Sequence, residues 1–160
     1  MSAIERHEKR IRAPEWWALV PGFGGHYEVS TYGRVRVLAR IVKKYSSKAR
    51  GIIEQHYRGR LLSPCDSGKY GYQAVHLGVD GKRFTVSVHT MVLLAFVGPK
   101  PIGCEACHHD GDARNNQLNN LRWDSHYENN QDRKRHGRYA VGEDHRAAKL
   151  TSGQVLAIRS

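Results

Sequence analysis

Residues 107–123 read CHHDGDARNNQLNNLRW and hold two histidines, two aspartates and four asparagines in seventeen positions. A solvated loop needs no pair of histidines, and a core strand would not tolerate so much polarity. An imidazole titrates near neutral pH and suits general-base work. Carboxylate and carboxamide oxygens suit a hard cation. The stretch therefore holds side chains able to take a proton and to bind a cation. Two other readings fit less well. Cys104 and Cys107 make one CxxC pair, but structural zinc usually takes two such pairs, and His126, His136 and His145 lack pair spacing. DGDARNNQLNN lacks the central glycine and closing glutamate of a calcium loop. No serine or cysteine nucleophile signature accompanies the cluster.

The flanking residues say how such a site would be held. A short strand over 105–107 leads into a polar loop shaped by Asp110-Gly111 and Asn115-Asn116. Leu121, Arg122 and Trp123 return as a second strand. Ser125 followed by Glu128 is a capping box, so a helix runs to about Arg135 and stops at Gly137. Asn129 in its first turn faces back toward the strand of Cys107 and His108. Arg133, Lys134 and Arg135 suit the negative end of the helix dipole.

Upstream, Val88, Met91, Val92, Ala95 and Phe96 fall on one helical face, ended by Gly98-Pro99. His89 lies off that stripe. It contacts DNA, orients the site, or is a plain boundary histidine. Alternation over 70–79, the Asp80-Gly81 turn and residues 82–88 spell a hairpin. A second hairpin spans 26–30 and 34–38, with Arg34 and Arg36 opposite Val35 and Val37. Residues 39–60 show no clean period and are expected to form a basic, mobile loop. Residues 1–14 are expected to be a frayed helix capped by Ser2 and Glu5.

The 160 residues suffice for one compact α+β domain with a modest core. The longest apolar run, near 91–97, is too short to span a bilayer, and the N-terminus has no signal-peptide pattern. Three cysteines are too few for a disulfide framework, which points to a reducing compartment. Of the net +11, residues 34–60 supply +8, from nine basic side chains against Glu54. Such a belt suits a nucleic-acid backbone, although a merely solubilising surface has the same composition.

Here the residues resemble a known family. His108, Asn120 and Asn129 are spaced like the three positions of the HNH nuclease motif, and HxDGDxxNNxxxNLRW followed by EN is similar to phage and intron-encoded HNH homing endonucleases. EWWALVPGFGGHYEVSTYGRVR resembles the DNA-binding module that often precedes that motif. VHTMVLLAFVG resembles the helix leading into it. KLTSGQVLAIR resembles the opening of a helical DNA-binding repeat. The likeness runs over roughly residues 15–160.

The resemblance implies an α+β chain with a small N-terminal hairpin DNA-binding module over 15–60, carrying the basic loop. A ββα-metal HNH nuclease domain would follow over 61–137, with its core at 104–136, and then a tail over 138–160. It implies metal-dependent cleavage of DNA, by nicking or a double-strand cut. His108 would be the general base, and Asn120 would order the loop and hold the base in place. One divalent ion, Mg2+ or Mn2+, would be bound by Cys107 and Asn129. Cys107 stands where the family often has aspartate. It is a weak ligand, or else Asn129, phosphate and water hold the ion. A shifted register would make His108 the ligand and His109 the base. Double-stranded DNA is the expected partner, gripped by Arg34, Arg36, Arg40, Lys43, Lys44, Lys48, Arg50, Arg122, Arg133, Lys134 and Arg135. No membrane and no obligate protein partner are expected, and the location would be cytoplasmic, in the host cell if the chain is phage-encoded. The rival reading is a DNA-binding regulator on a disabled nuclease fold. An RNA-binding module ranks last, for want of a ribonucleoprotein motif.

Overall fold

A computed structural model describes residues 13–68, 70–137 and, in the C-terminal tail, 149–151, 154 and 156–157. The expected helix over 1–14 falls almost wholly outside them. Trp17–Leu19 (β1), Tyr27–Ser30 (β2) and Val35–Val37 (β3) pair in antiparallel order. The hairpin expected over 26–38 is thus present. Its turn closes through Gly33, whose φ of +75° favours glycine.

Residues 39–60 are not a loop. Arg40–Ser46 (β4) and Gly51–Tyr57 (β5) form a regular antiparallel ribbon, and Arg60–Leu62 (β6) then joins β3. The period is hidden for a physical reason. Alternation records one buried and one solvated face. In this ribbon Ile41, Lys43 and Tyr45 are all exposed on one face, and Lys44 is exposed on the other. With little burial on either side, no apolar alternation is written into the sequence.

Cys65–Ser67 (β7), Tyr72–Val79 (β8) and Lys82–Ser87 (β9) make a three-stranded sheet. The Asp80-Gly81 turn has positive φ at both residues, as a tight two-residue hairpin needs. Val88–Phe96 (α1) follows directly and buries Val88, Met91, Val92 and Leu93. Cys104–His108 (β10), Leu121–Ser125 (β11) and His126–Arg135 (α2) complete the chain of elements. One core runs through these parts: Val20, Tyr27, Val29 and Val35 pack in the same cluster as Val75, Leu77, α1 and Leu121. No helix among the described residues is long and apolar enough to cross a membrane.

Candidate active site

β10 and β11 pair antiparallel, with Cys107 opposite Arg122 and His108 opposite Leu121. Helix α2 starts where β11 ends. Its N-cap Ser125 accepts a hydrogen bond from the Glu128 backbone N–H, so the serine half of the expected capping box is formed, while the Ser125 N–H donates to Asp124 Oδ1. Strand, loop, strand and helix therefore sit as the spacing predicts, and a pocket opens between β10 and α2. His108, Cys107, Glu105, Asn129, Asp132 and Tyr72 are among its lining residues.

The polar loop is laced by its own side chains. Asn120 is buried and makes three bonds: its Oδ1 accepts from the Asp110 N–H, and its Nδ2 donates to Asp110 Oδ1 and to the Asn115 carbonyl. Burial pushes the Asp110 carboxyl up, but hydrogen bonds from Asn115, Asn120 and the Asp112 backbone outweigh it and leave it below the usual range. Asn120 fixes the loop, while a different asparagine touches the histidine. Asn116 Oδ1 lies 3.2 Å from His108 Nε2, and the Asn116 amide donates to Gln73 on β8.

His108 is buried, and its ring sits among others. His89 stands edge-on with centroids 5.1 Å apart, and Tyr72 lies at 5.9 Å. His89 is itself buried, so it is no surface residue. Burial first, and then the neighbouring His108, push its pKa down to about 4. Sequence reasoning leaves His89 open, and it misses Tyr72, Asn116 and Gln73. Its only available signal for His89 is a place in the first turn of α1. His109 points elsewhere, its Nδ1 2.8 Å from the Arg122 guanidinium.

Cys107 is also buried, its Sγ donating to the Glu105 carbonyl. Burial pushes the thiol up to about 11, although Arg122 works the other way. A neutral, buried thiol suits a hard cation poorly. The pocket's oxygen donors suit one better. The Glu105 carboxylate and the Asn129 carboxamide both line it, with Asn129 Nδ2 2.9 Å from Glu105 Oε2. Among the described residues no group of three histidine, cysteine, aspartate or glutamate side chains could hold a metal. An ion there would therefore complete its shell with carboxamide, phosphate and water.

The basic residues expected to grip DNA fall into two sets. Lys44, Lys48 and Arg50 lie exposed on the β4–β5 ribbon, and Lys43 there pairs loosely with Glu54. Arg133 and Lys134 are exposed on α2, where Arg133 lines the pocket. Arg34, Arg36, Arg40, Arg122 and Arg135 are engaged within the protein. Arg34 pairs with Glu15 and Arg36 with Glu28, both over the Trp17 ring. Arg40 stacks on Tyr57. Arg122 is held by Asp124 and Asp132, and Arg135 by Asp132 and Glu128. Of these, the Arg122 and Arg135 pairs meet at Asp132, which lines the pocket. In the tail, the Thr151 hydroxyl accepts from the Gln154 N–H and Gln154 Oε1 from the Thr151 N–H, a reciprocal capping pair.

Two family models match the chain: one described as the NUMOD4 motif over residues 15–78, and one described as HNH endonuclease over residues 86–131. DNA endonuclease I-HmuI of Bacillus phage SP01 is 28% identical over 144 residues, covering 90% of this chain and 72% of the relative. A solved structure of DNA binding and cleavage by the HNH homing endonuclease I-HmuI superposes with a TM-score of 0.57 at 29% identity. That match covers 79% of this chain but 62% of the solved one, so the chain spans less than two thirds of the structural relative.

Proposed function

The chain belongs to the HNH homing endonuclease family, and from that premise we propose that it hydrolyses DNA phosphodiester bonds in the pocket between β10 and α2, with His108 as general base. The observation that supports this most is the placement of His108. It sits on β10, buried, its ring held by Asn116 on one side and flanked by His89 and Tyr72. A base held this way meets its water in a single orientation, and that order is prepaid by folding. In this reading His108 takes the proton from water as the water attacks phosphorus. Asn120 keeps the loop closed, so that the backbone beside His108 does not shift. Asn129 offers an amide oxygen to a divalent ion. Mg2+ or Mn2+ bound there would stabilise charge on the phosphorane and on the leaving 3′ oxygen.

Double-stranded DNA is the proposed substrate. Residues 15–60 hold the duplex and residues 61–137 cut it. The exposed lysines and arginine of the β4–β5 ribbon supply phosphate contacts outside the pocket. Incubating supercoiled plasmid with the chain and Mg2+ or Mn2+ tests the activity. The unsubstituted chain should cut, while His108→Ala should lose ~10²–10⁴ in rate with duplex binding intact. Binding without cleavage under either metal would instead support a DNA-binding regulator.

A further inference from the structure

We propose that Glu105, rather than Cys107, supplies the protein's charged oxygen to the divalent ion, together with Asn129; this rests on the nuclease reading above. The two residues are two apart on β10, and residues two apart on a strand share a face. Both line the pocket under α2. They differ in what they present. Cys107 is 2% exposed and turns its sulfur to the Glu105 backbone carbonyl. The Glu105 side chain is 40% exposed, and its carboxylate reaches the first turn of α2, where it meets His126 and Asn129.

The distance between Glu105 and Asn129 is the second observation. The amide end of Asn129 lies 2.9 Å from Glu105 Oε2. The two ends of a carboxamide are interchangeable by a half turn, and the hydrogen-bond network sets which faces the carboxylate. The N–H₂ end faces it here. With the oxygen turned in, two oxygens would stand 2.9 Å apart. Octahedral Mg2+ binds oxygen at about 2.0–2.1 Å, which makes adjacent ligand oxygens about 2.9 Å apart. Glu105 and Asn129 are therefore spaced as one edge of such a shell, with the remaining positions open to phosphate and water.

The other acidic side chain of the pocket is already committed. Asp132 has 9% of its side chain exposed, and its two oxygens bind Arg122 and Arg135. Among the described residues, the side-chain hydrogen-bond partners of Glu105 are neutral Asn129 and the exposed ring of His126, which also pairs with it.

The test measures ion binding instead of turnover. Mn2+ is titrated into the full chain carrying His108→Ala, with a DNA duplex present, and free Mn2+ is read by electron paramagnetic resonance. Adding Glu105→Gln should weaken Mn2+ binding by more than about a hundredfold, beyond the roughly 10–100-fold that loss of an outer-shell partner commonly costs. Adding Cys107→Ala should leave the affinity unchanged. Cys107→Asp combined with Glu105→Gln should restore it, because a hard ligand returns one step along the same face. His126→Ala removes the partner of Glu105 but keeps the carboxylate, and should also bind. Unchanged binding in Glu105→Gln, or lost binding in a folded Cys107→Ala, would overturn the assignment. The Cys107→Ala arm decides by itself should Glu105→Gln fail to fold. If plasmid is cut and Mn2+ binds, yet Glu105→Gln has no effect, only the role of Glu105 falls. If the chain neither binds Mn2+ nor cuts, the nuclease reading falls with it.

Discussion

His108 and His109 are neighbours in sequence with opposite surroundings. One ring is buried against Asn116 and His89, while the other is exposed beside Arg122. His109→Ala should therefore cut plasmid far better than His108→Ala. A dead His109→Ala beside an active His108→Ala would shift the register by one. His89 makes a separate prediction. Its folded pKa is about 4, against about 6.5 for an ordinary histidine. Between those values the unfolded chain binds the extra proton, so stability rises with pH across this window and falls on acidification. The loss from pH 7 to pH 4 is on the order of 3 kcal/mol for this one group. Thermal melts at pH 7 and pH 5 should show part of that loss, and His89→Gln should shrink it. Equal pH dependence in both proteins would mean that His89 does not carry the effect.

Among the elements, the β4–β5 ribbon stands apart. No residue of it belongs to the core cluster. Tyr45 and Ile52 face each other across it at 70% and 75% exposure, beside Lys43, Lys44, Lys48 and Arg50. An element with that composition gains little from folding against the protein and much from a polyanion. Replacing those four basic residues with glutamine should leave the melting temperature nearly unchanged. It should make the plot of log affinity against log salt shallower by about 0.9 for each phosphate that the ribbon no longer neutralises. An unchanged slope in filter-binding or fluorescence titrations would remove the ribbon from the DNA interface. The ribbon is unreadable as strands in the sequence because little of it is buried. Helix α2 is readable because its start is marked by a capping box that acts within four residues, Ser125 to Glu128.

Across the whole molecule, the N-terminal sheet is joined to β8 and to the polar loop after β10 at defined points. The Tyr27 hydroxyl accepts from the Gly78 N–H and donates to the Gly78 carbonyl. Leu118 N–H donates to the Thr31 carbonyl. Gly33 packs so closely that a Cβ there would stand 2.6 Å from Asn116 Cβ and 2.9 Å from its carbonyl oxygen. Asn116 Oδ1 in turn lies 3.2 Å from His108 Nε2. Gly33→Ala should therefore act twice. It puts alanine in a left-handed conformation, costing about 1–2 kcal/mol, and it pushes Asn116 away from the histidine. Gly22→Ala is the control, since Gly22 has a similar φ of +82° with nothing within 4 Å of the added carbon. Urea melts should show both variants destabilised, with Gly33→Ala the worse. Plasmid nicking should fall only in Gly33→Ala. Equal nicking by the two would mean that this contact does not reach the site.

Whatever is written locally in this chain can be read from it directly. The strand–loop–strand–helix order, the Ser125 cap, the Asp80-Gly81 turn and the apolar stripe of α1 each depend on residues within a few positions of one another, and each is present in the structure. The spacing of His108, Asn120 and Asn129 is legible for the same reason. Packing chooses which neighbours those residues acquire. Four asparagines between 115 and 120 look alike in sequence, yet only the packing of β8 against the loop selects Asn116 for His108 and leaves Asn120 to staple the turn. His89 becomes a buried partner of His108 because α1 packs against β10, bringing together residues nineteen positions apart. Glu105 faces the pocket only because α2 folds back over β10 and sets Asn129 against it. Each of these is a contact between distant segments, made when apolar faces are buried together, and local residue preference carries no record of it.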